Sequence, residues 1–394
     1  MALLFASKGL AAAAHHVIDT SGKPVVYEEP PGGGATACSF RRAICVHGGA
    51  PAAALGVLGA LERAWEAGIA LGVPLPVSYD AYVTDGPSRS AIAARDGLSH
   101  FDQARTFSLL DGRLAGCARD FDAARELYAA STLAVSPAMD DGTLRAESTA
   151  LAHLAAPCAP ADAGVFQSQP DRALVDPRVA PGYVEDASIF FSFVDDSFAK
   201  EPGRAITASF ALAPTKTPDD DHWIDEPDAF DVLRASLRDA LGPGSTWEDV
   251  LASFAIARAS FAPAPRFDWD VAWPRAARTL ASPEGVAPTG AAYVRVDAAG
   301  RKPNERFTID ATWEELARFR WFVVKLDGSG KEISRVEATA APKATHAHLQ
   351  VVDLEGASAL LVVGANVGAW DEPFDPDDVW EPHGWLLTIS SETP

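Results

Sequence analysis

Two neighbouring segments of this chain read CARDFDAARELYAA (residues 117–130) and LRAESTALAHL (residues 144–154). In the second segment, Leu144 and Leu151 recur at i and i+7, which places them on one face of a helix. Glu147 lies at i+3 on the same apolar stripe. A carboxylate on a buried face costs free energy unless a charge or a hydrogen bond compensates it. The sequence therefore predicts two adjacent helices and a buried partner for Glu147.

The two segments resemble the motif helices of gluzincin-type zinc metallopeptidases, of the secreted bacterial kind found in myxobacteria. In that family one helix carries the motif H-E-x-x-H, and a second helix further along the chain carries E-x-x-A around the third metal ligand. Here the first motif falls on RELYA, residues 125–129, and the second on ESTA, residues 147–150. The resemblance implies a zincin-like domain in which Glu126 is a vestigial general base and Glu147 occupies the vestigial third-ligand position.

The order of the predicted elements is also similar to that family. A helix at 55–68 and short strands at 79–83 and 106–110 precede the two motif segments. In active relatives a helix, edge strands, the H-E-x-x-H helix and the glutamate helix follow one another in this order.

The departures from the motif predict that the zinc site is lost. Arg125 and Ala129 stand where the family has its two histidines. A guanidinium has no lone pair for a metal, and alanine has no ligand atom, whereas a catalytic zinc needs three protein ligands. We therefore predict no cofactor, and an ion pair in which Arg125 takes the place of the metal beside Glu147. The alternative is that Arg125 and Glu126 are solvated helix residues, as charged groups on helices usually are.

The composition excludes several classes of function. Across 394 residues, 33 Lys and Arg stand against 54 Asp and Glu, which gives a net charge of −21. Such a surface repels phosphate backbones, so we predict that the chain binds no nucleic acid. The hydrophobic content of 48% predicts a folded, globular protein. No stretch is long and apolar enough to predict a transmembrane segment.

The cysteines form two local couples. Cys38 and Cys45 flank a short basic turn, whereas Cys117 opens the first motif segment and Cys158 follows the second. An even count with sensible loop closures predicts the disulfides Cys38–Cys45 and Cys117–Cys158, and hence an oxidising, extracytoplasmic compartment. The alternative is four reduced, buried thiols in a cytosolic protein.

Changes in composition divide the chain into successive parts. We predict an N-terminal arm or the remnant of a signal peptide at residues 1–36. The resemblance implies an α-rich, gluzincin-like domain at residues 37–262. Residues 263–288, rich in Pro and Trp, predict a connector with one extended segment at 267–271. From 289 to 394 the hydrophobic period becomes two, which is typical of strands.

The strands predicted in this last part are 292–297, 306–313, 318–326, 332–337, 346–353, 359–364 and 384–390. So many short strands in so few residues are typical of an Ig- or fibronectin-like β-sandwich. The predicted fold class is therefore α+β, with an α-rich zincin-like domain followed by a C-terminal sandwich.

Two other groups of residues have the chemistry of metal ligands. Asp375, Asp377 and Asp378 form an acidic loop whose oxygens could hold Ca²⁺, although the EF-hand spacing is absent. The alternative is a solvated acidic loop. His346 and His348 share one face of a predicted strand, with His383 as a distant third candidate, and the alternative there is a solvated strand face.

The sequence supports three functional hypotheses. The first is an exported, metallopeptidase-like protein without catalysis, which binds a peptide or an envelope protein in the old cleft. The second is an active hydrolase with rearranged metal ligands that uses Glu126 and Glu147. The third is a purely structural surface protein.

Overall fold

The computed structural model describes residues 23–24, 26–93, 105–158, 163–212, 222–223, 228–241, 246–341, 343–370, 374–376 and 380–392. Within these ranges the fold is α+β, as predicted: helices pack on a mixed sheet and on one face of a carboxyl-terminal β-sandwich. The predicted signal remnant falls on residues 1–22, which lie outside the described ranges. No helix among the described residues is long and apolar enough to cross a membrane.

The amino-terminal part is built from short strands and three long helices. Its strands are β1 (Lys23–Pro24), β2 (Tyr27–Glu28), β3 (Ala35–Cys38), β4 (Ile44–His47), β5 (Tyr79–Thr84), β6 (Arg89–Ala93) and β7 (Thr106–Asp111). Its helices are α1 (Pro51–Leu71), α2 (Gly116–Val135) and α3 (Asp141–Ala155). Six of the strands form one sheet in the order β2-β6-β7-β5-β4-β3, in which β6 runs antiparallel to β7.

This sheet corrects one sequence prediction and confirms two others. The segment 1–36 is not a free arm in its described part, because β2 pairs with β6 and β3 pairs with β4. The strands predicted at 79–83 and 106–110 are confirmed as β5 and β7. The remaining strands are only two to five residues long, too short for a periodic pattern to reveal them.

Local signals place the ends of the three helices. Pro51 begins α1, where its missing N–H costs nothing, and Gly72 ends it in the left-handed conformation at φ 86°. The side chain of Asp140 caps α3 by accepting a hydrogen bond from the Thr143 backbone N–H. Helices α2 and α3 then pack side by side, as the sequence predicts.

Both predicted disulfides are present. Cys38 and Cys45 join neighbouring positions of β3 and β4, with their Cα atoms 4.2 Å apart. Cys117 and Cys158 tie the start of α2 to the chain just beyond α3, with a Cα–Cα distance of 5.9 Å. Such bridges are typical of an oxidising, extracytoplasmic environment.

A second layer of helices covers α3. It consists of α4 (Gly164–Ser168), α5 (Tyr183–Asp186), α6 (Ser188–Phe198), α7 (Arg204–Leu212), α8 (Ala229–Leu241) and α9 (Trp247–Arg258), with the short strand β8 (His222–Trp223) paired to β1. Aromatic side chains form much of its core: Phe190 contacts Phe230 and Phe254 at ring distances of 6.1 and 5.0 Å. Thr246 and Asp249 form a capping box at the start of α9.

The carboxyl-terminal part is a sandwich of two sheets. Its strands are β9 (Trp269–Val271), β10 (Arg278–Ala281), β11 (Ala291–Asp297), β12 (Arg306–Trp313), β13 (Phe319–Leu326), β14 (Glu332–Glu337), β15 (His346–Val351), β16 (Ala359–Asn366) and β17 (Trp385–Glu392). The sheet orders are β10-β17-β12-β15 and β14-β13-β16-β11-β9, and one apolar core lies between the two sheets. All seven predicted strands are confirmed, within two residues at each end.

The predicted connector belongs to the sandwich. Segment 263–288 contains β9 and β10, which are edge strands of the two sheets, so the boundary predicted at residue 289 is wrong. The extended segment predicted at 267–271 is confirmed as β9. Sequence composition suggested a linker because Pro is rare inside sheets, but the prolines of this segment lie in the loops around β9 and β10, and the two strands themselves contain none.

The sandwich and the helices share one core. Strand β16 is buried along its whole length because one face packs inside the sandwich and the other packs on the helices. The Tyr293 hydroxyl on β11 donates a 2.6 Å hydrogen bond to the Ala255 carbonyl on α9. Arg320 on β13 pairs with Asp249 at 2.6 Å in the first turn of α9.

Because this core is continuous, we expect the helices and the sandwich to unfold in one transition. Tyr293→Phe removes the hydrogen bond to the buried Ala255 carbonyl and should lower the free energy of unfolding by about 1–2 kcal/mol. Urea unfolding followed by far-ultraviolet circular dichroism and by tryptophan fluorescence should give coincident curves. Tyr82→Phe is the matched control, because no hydrogen bond of the Tyr82 hydroxyl is found among the described residues and the ring lies on the other side of the first sheet. Two separate transitions would contradict the shared core.

Candidate functional site

A cleft opens between α2, α3 and the strand β6. It holds about 360 Å³ of empty space, part of it open to solvent. The side chains that line it are Arg89, Ser90, Arg125, Glu126, Ala129, Asp141, Leu144, Arg145, Ser148 and Glu185. All three positions of RELYA that correspond to the metallopeptidase motif, Arg125, Glu126 and Ala129, therefore face the same space as one side of α3.

Glu126 is the most enclosed acid of this α2–α3 cleft. It is 5% exposed, and both of its carboxylate oxygens have partners. Oε2 accepts a hydrogen bond from Ser90 Oγ at 2.8 Å, and Oε1 accepts from Arg125 Nη2 at 2.9 Å. Burial raises the pKa of Glu126, while the charge of Arg125 opposes that rise.

Arg125 bridges two carboxylates of its own helix. Its Nη2 donates to Asp122 Oδ1 at 2.8 Å and to Glu126 Oε1 at 2.9 Å. The second oxygen of Asp122 accepts a hydrogen bond from Ser88, just before β6. Burial also raises the pKa of Asp122, again opposed by Arg125. The arrangement is a charge-assisted network in which one guanidinium donates hydrogen bonds to two partly desolvated acids and offsets part of their charge.

The predicted ion pair between Arg125 and Glu147 is not formed. Glu147 is fully buried on the face of α3 that meets α7, and it does not line the cleft. Arg145 does line the cleft, and two helical steps of 100° separate Arg145 from Glu147 by about 200° around the axis. The alternative of solvated residues is also wrong, since Glu126 is buried and the Arg125 side chain is only 24% exposed.

Glu147 is buried with one hydrogen-bond partner among the described residues. Its Oε1 lies 2.8 Å from Ser209 Oγ on α7, and its Oε2 has no hydrogen-bond partner. The Ser209 hydroxyl also donates to the Ile206 carbonyl at 2.5 Å, and a hydroxyl has a single proton to give. This single proton is therefore shared between the Ile206 carbonyl and Glu147 Oε1, so the carboxyl of Glu147 receives little hydrogen-bond compensation for its burial. Burial raises the pKa of Glu147 well above its usual range, which favours the protonated carboxyl.

The sequence analysis missed the serines that complete the network. Ser90 Oγ lies 2.7 Å from Ser108 Oγ on β7, and the Tyr79 hydroxyl donates to Ser108 Oγ at 2.6 Å from the floor of the sheet. The available signal was the alternation of Ser88 and Ser90, which puts two hydroxyls on one face of an extended segment. That Ser88 contacts Asp122 and Ser90 contacts Glu126 depends on how the sheet packs against α2.

The other predicted metal ligands are not brought together by the described residues. His348 pairs with Asp310 at 2.6 Å on the exposed face of β15, whereas His383 pairs with Glu314 at 3.0 Å. Of the predicted calcium loop, Asp377 and Asp378 lie outside the described ranges. Among the residues that are described, no group of three His, Cys, Asp or Glu side chains could hold a metal ion.

Comparison with known proteins gives little further guidance. No protein-family model matches the chain, and no curated protein matches it either. Among solved structures, the pre-peptidase C-terminal domain of a collagenase from Bacillus anthracis is similar at 8% sequence identity, over 32% of this chain and 97% of that domain, with a TM-score of 0.21. A likeness at that score does not establish a shared fold, so the β-sandwich described above rests on its own strand pairing.

Replacing Arg125 tests whether it holds the two acids. Arg125→Met leaves Asp122 and Glu126 desolvated without a cation, and should lower the free energy of unfolding by about 3 kcal/mol at about pH 7. The loss should shrink towards about pH 4, because protonation removes the uncompensated charges. Chemical denaturation at both pH values measures this. Arg113→Met is the matched control, since Arg113 pairs with Asp111 on the surface and is 65% exposed. An equal loss at both pH values would argue against the charge network.

Glu147 should make the protein less stable as the pH rises. A carboxyl whose pKa is raised in the folded state favours folding when protonated, and that stability is lost as the pH climbs from the unfolded pKa towards the folded one. Glu147→Gln keeps the shape and removes the titration, so the variant should be more stable than the original protein at about pH 8 and should differ little at about pH 4. Thermal unfolding across this range checks the prediction, with the exposed Glu201→Gln as control. A variant that is less stable at the higher pH would show that Glu147 is ionised and paired.

Proposed function

We propose that this chain is an exported, metallopeptidase-like protein that has lost catalysis and binds a peptide segment of a partner, such as an envelope protein, in the α2–α3 cleft. The observation that carries the proposal is the Arg125 guanidinium, which contacts Glu126 at 2.9 Å where a working site needs a metal-bound water.

The chemistry of the donors supports the loss of zinc. A general base of this class acts on water that a metal activates, and its carboxylate must be free to accept the proton. Here Arg125 and Ser90 occupy both oxygens of Glu126. Positions 125 and 129 supply a guanidinium and a methyl group, neither of which ligates a metal.

The order of elements supports the metallopeptidase-like part of the proposal. Helix α1, the strands β5, β6 and β7, the helix α2 with RELYA and the helix α3 with ESTA follow the order expected for gluzincins. The Ig- or fibronectin-like sandwich would then be a docking or stabilising module behind that domain. Two disulfides support export.

The walls of the cleft suit a peptide better than a small apolar ligand. Its lining contains the three arginines Arg89, Arg125 and Arg145 together with three acidic residues, Glu126, Asp141 and Glu185. Arg145 is held by Asp141 at 2.9 Å and by Glu185 at 3.2 Å, which fixes its position at the rim. Peptide backbones and charged side chains can pair with both signs of charge.

The alternative of an active hydrolase that uses Glu126 and Glu147 has weaker geometric support. Glu126 faces the cleft, whereas Glu147 lies within the core against Ser209. A single substrate in the cleft would reach the first and not the second.

Peptide binding and metal content together test this function. The purified protein should contain no stoichiometric zinc and should cleave no peptide, yet should select binders from a library of displayed random peptides. Arg145→Glu reverses a charge at the rim and should weaken a selected peptide by about tenfold or more. Arg178→Glu is the matched control, because the exposed fractions of the two arginines are 45% and 47% and Arg178 does not line the cleft.

Three results would contradict the proposal. Stoichiometric zinc with peptidase activity would favour the active hydrolase. Failure to select any peptide would favour a structural protein. If Arg145→Glu and Arg178→Glu lower the affinity for a selected peptide equally, the peptide binds outside this cleft.

A further inference from the structure

The cleft is bordered by a strand that already carries a peptide-like segment of the same chain. Residues 23–24 and 26–28 are here called the edge segment; its first two residues pair with β8 and its last two pair with β6. In β2, Tyr27 pairs with Ile92 and Glu28 with Ala93, parallel to β6. An extended segment added to a sheet edge is one of the common modes of peptide recognition.

The side chain of Tyr27 packs against an apolar cluster next to the cleft. The cluster is formed by Ile92, Ala129, Leu133 and Leu144, and Tyr27 packs against it while remaining partly exposed. Ala129 and Leu144 also line the α2–α3 cleft, so the cluster and the cleft form one continuous surface. The sheet edge supplies backbone pairing, and this cluster supplies a pocket for one aromatic side chain.

The next residue makes a charged contact with the cleft wall. Glu28 accepts two hydrogen bonds from Arg89, each at 2.6 Å, and Arg89 lines the cleft. A bidentate pair of this kind recognises the geometry of a carboxylate as well as its charge. The edge segment therefore presents an aromatic side chain and then an acidic one to two matching sites.

The backbone pairing of the edge segment is short. Its described pairing consists of Tyr27 and Glu28 on β6, and of Lys23 and Pro24 on β8. Val26, between these two pairs, is 76% exposed. Such short ladders are marginal alone. The segment stays bound because its covalent link to the sheet gives it an effective concentration in the millimolar range, about that of a short flexible linker.

We propose that the edge segment is a resident self-ligand of the peptide site, and that the partner is an extended segment carrying an aromatic residue followed by an acidic one. The partner adds to β6 in parallel register, places its ring among Ile92, Leu133 and Leu144, and pairs its carboxylate with Arg89. Binding then requires the edge segment to leave. This inference rests on the proposed function, because it names the chemistry of the peptide for the same cleft.

Competition between the edge segment and a peptide in solution tests the inference. The probe is a fluorescently labelled peptide of the sequence KPVVYEEP, which copies residues 23–30. In the full-length protein, Tyr27→Ala weakens the internal competitor and should tighten probe binding by about tenfold. Fluorescence anisotropy measures this affinity, and a probe with alanine in place of tyrosine should not bind. Hydrogen exchange of residues 89–93 should be faster in the Tyr27→Ala protein without probe.

Control variants separate this effect from a general loss of structure. Val26→Ala changes an exposed side chain of the same segment and should bind the probe as the original protein does. Glu28→Ala removes the contacts to Arg89 and leaves the apolar cluster unchanged, so it should also tighten probe binding. If Tyr27→Ala does not fold, this second variant still tests the inference.

The possible failures are distinguishable. If the original protein, Tyr27→Ala and Glu28→Ala all bind the probe with equal affinity, the edge segment is not a competitor. The proposal that the cleft binds a peptide is then unaffected. If none of them binds the probe while peptides selected from the library do bind, the stated aromatic–acidic chemistry is wrong. If neither the probe nor any selected peptide binds, the proposed function fails together with this inference.

Discussion

The guanidinium of Arg125 lies between the carboxylates of Asp122 and Glu126, and the architecture of the cleft depends on that contact. All three side chains belong to α2, so the charge balance of the site is set within one helix. Two acids so close together and so poorly hydrated would repel each other without the cation. With it, the acids can also receive hydrogen bonds from Ser88 and Ser90, which fasten α2 to the edge of the sheet.

The same constraint explains why the fold tolerates two buried glutamates in different ways. Glu126 remains beside a cation at the border of the cleft, whereas Glu147 lies in the core without one. Desolvation of a charge is so unfavourable that an unpaired buried acid takes up a proton instead. Ser209 contacts the carboxyl of Glu147, whose pKa is raised by burial, and no cation pairs with this carboxyl among the described residues. In this pair of helices, one buried glutamate is thus stabilised by a neighbouring cation, and the other is buried without one.

The sandwich takes part in this arrangement through the helices behind the cleft. Strand β16 belongs to two cores at once, and Arg320 fastens β13 to the first turn of α9. The segment rich in Pro and Trp, instead of separating two domains, completes both sheets of the sandwich. The sandwich therefore contacts the helical layer through α9, and the edge segment pairs with β6 of the first sheet.

The sequence by itself determined the features that arise from local chemistry. Periodicity places α2, α3 and the seven strands of the sandwich, because each pattern is complete within one element. Cysteine spacing determined both disulfides, since each closes a loop that the chain can readily form. The substituted motif at Arg125 and Ala129 was also readable, because a missing ligand atom is a property of the residue.

The tertiary structure decided which groups meet. The sequence placed Arg125 and Glu147 on neighbouring helices, but a difference of about 200° around α3 decides that Arg145 faces the cleft and Glu147 faces α7. The short strands that carry Ser90 and Tyr27 have too few residues for a pattern, and their register depends on pairing with distant segments. Helix rotation and strand register are set by packing across the whole chain, and for that reason no local stretch of sequence encodes them.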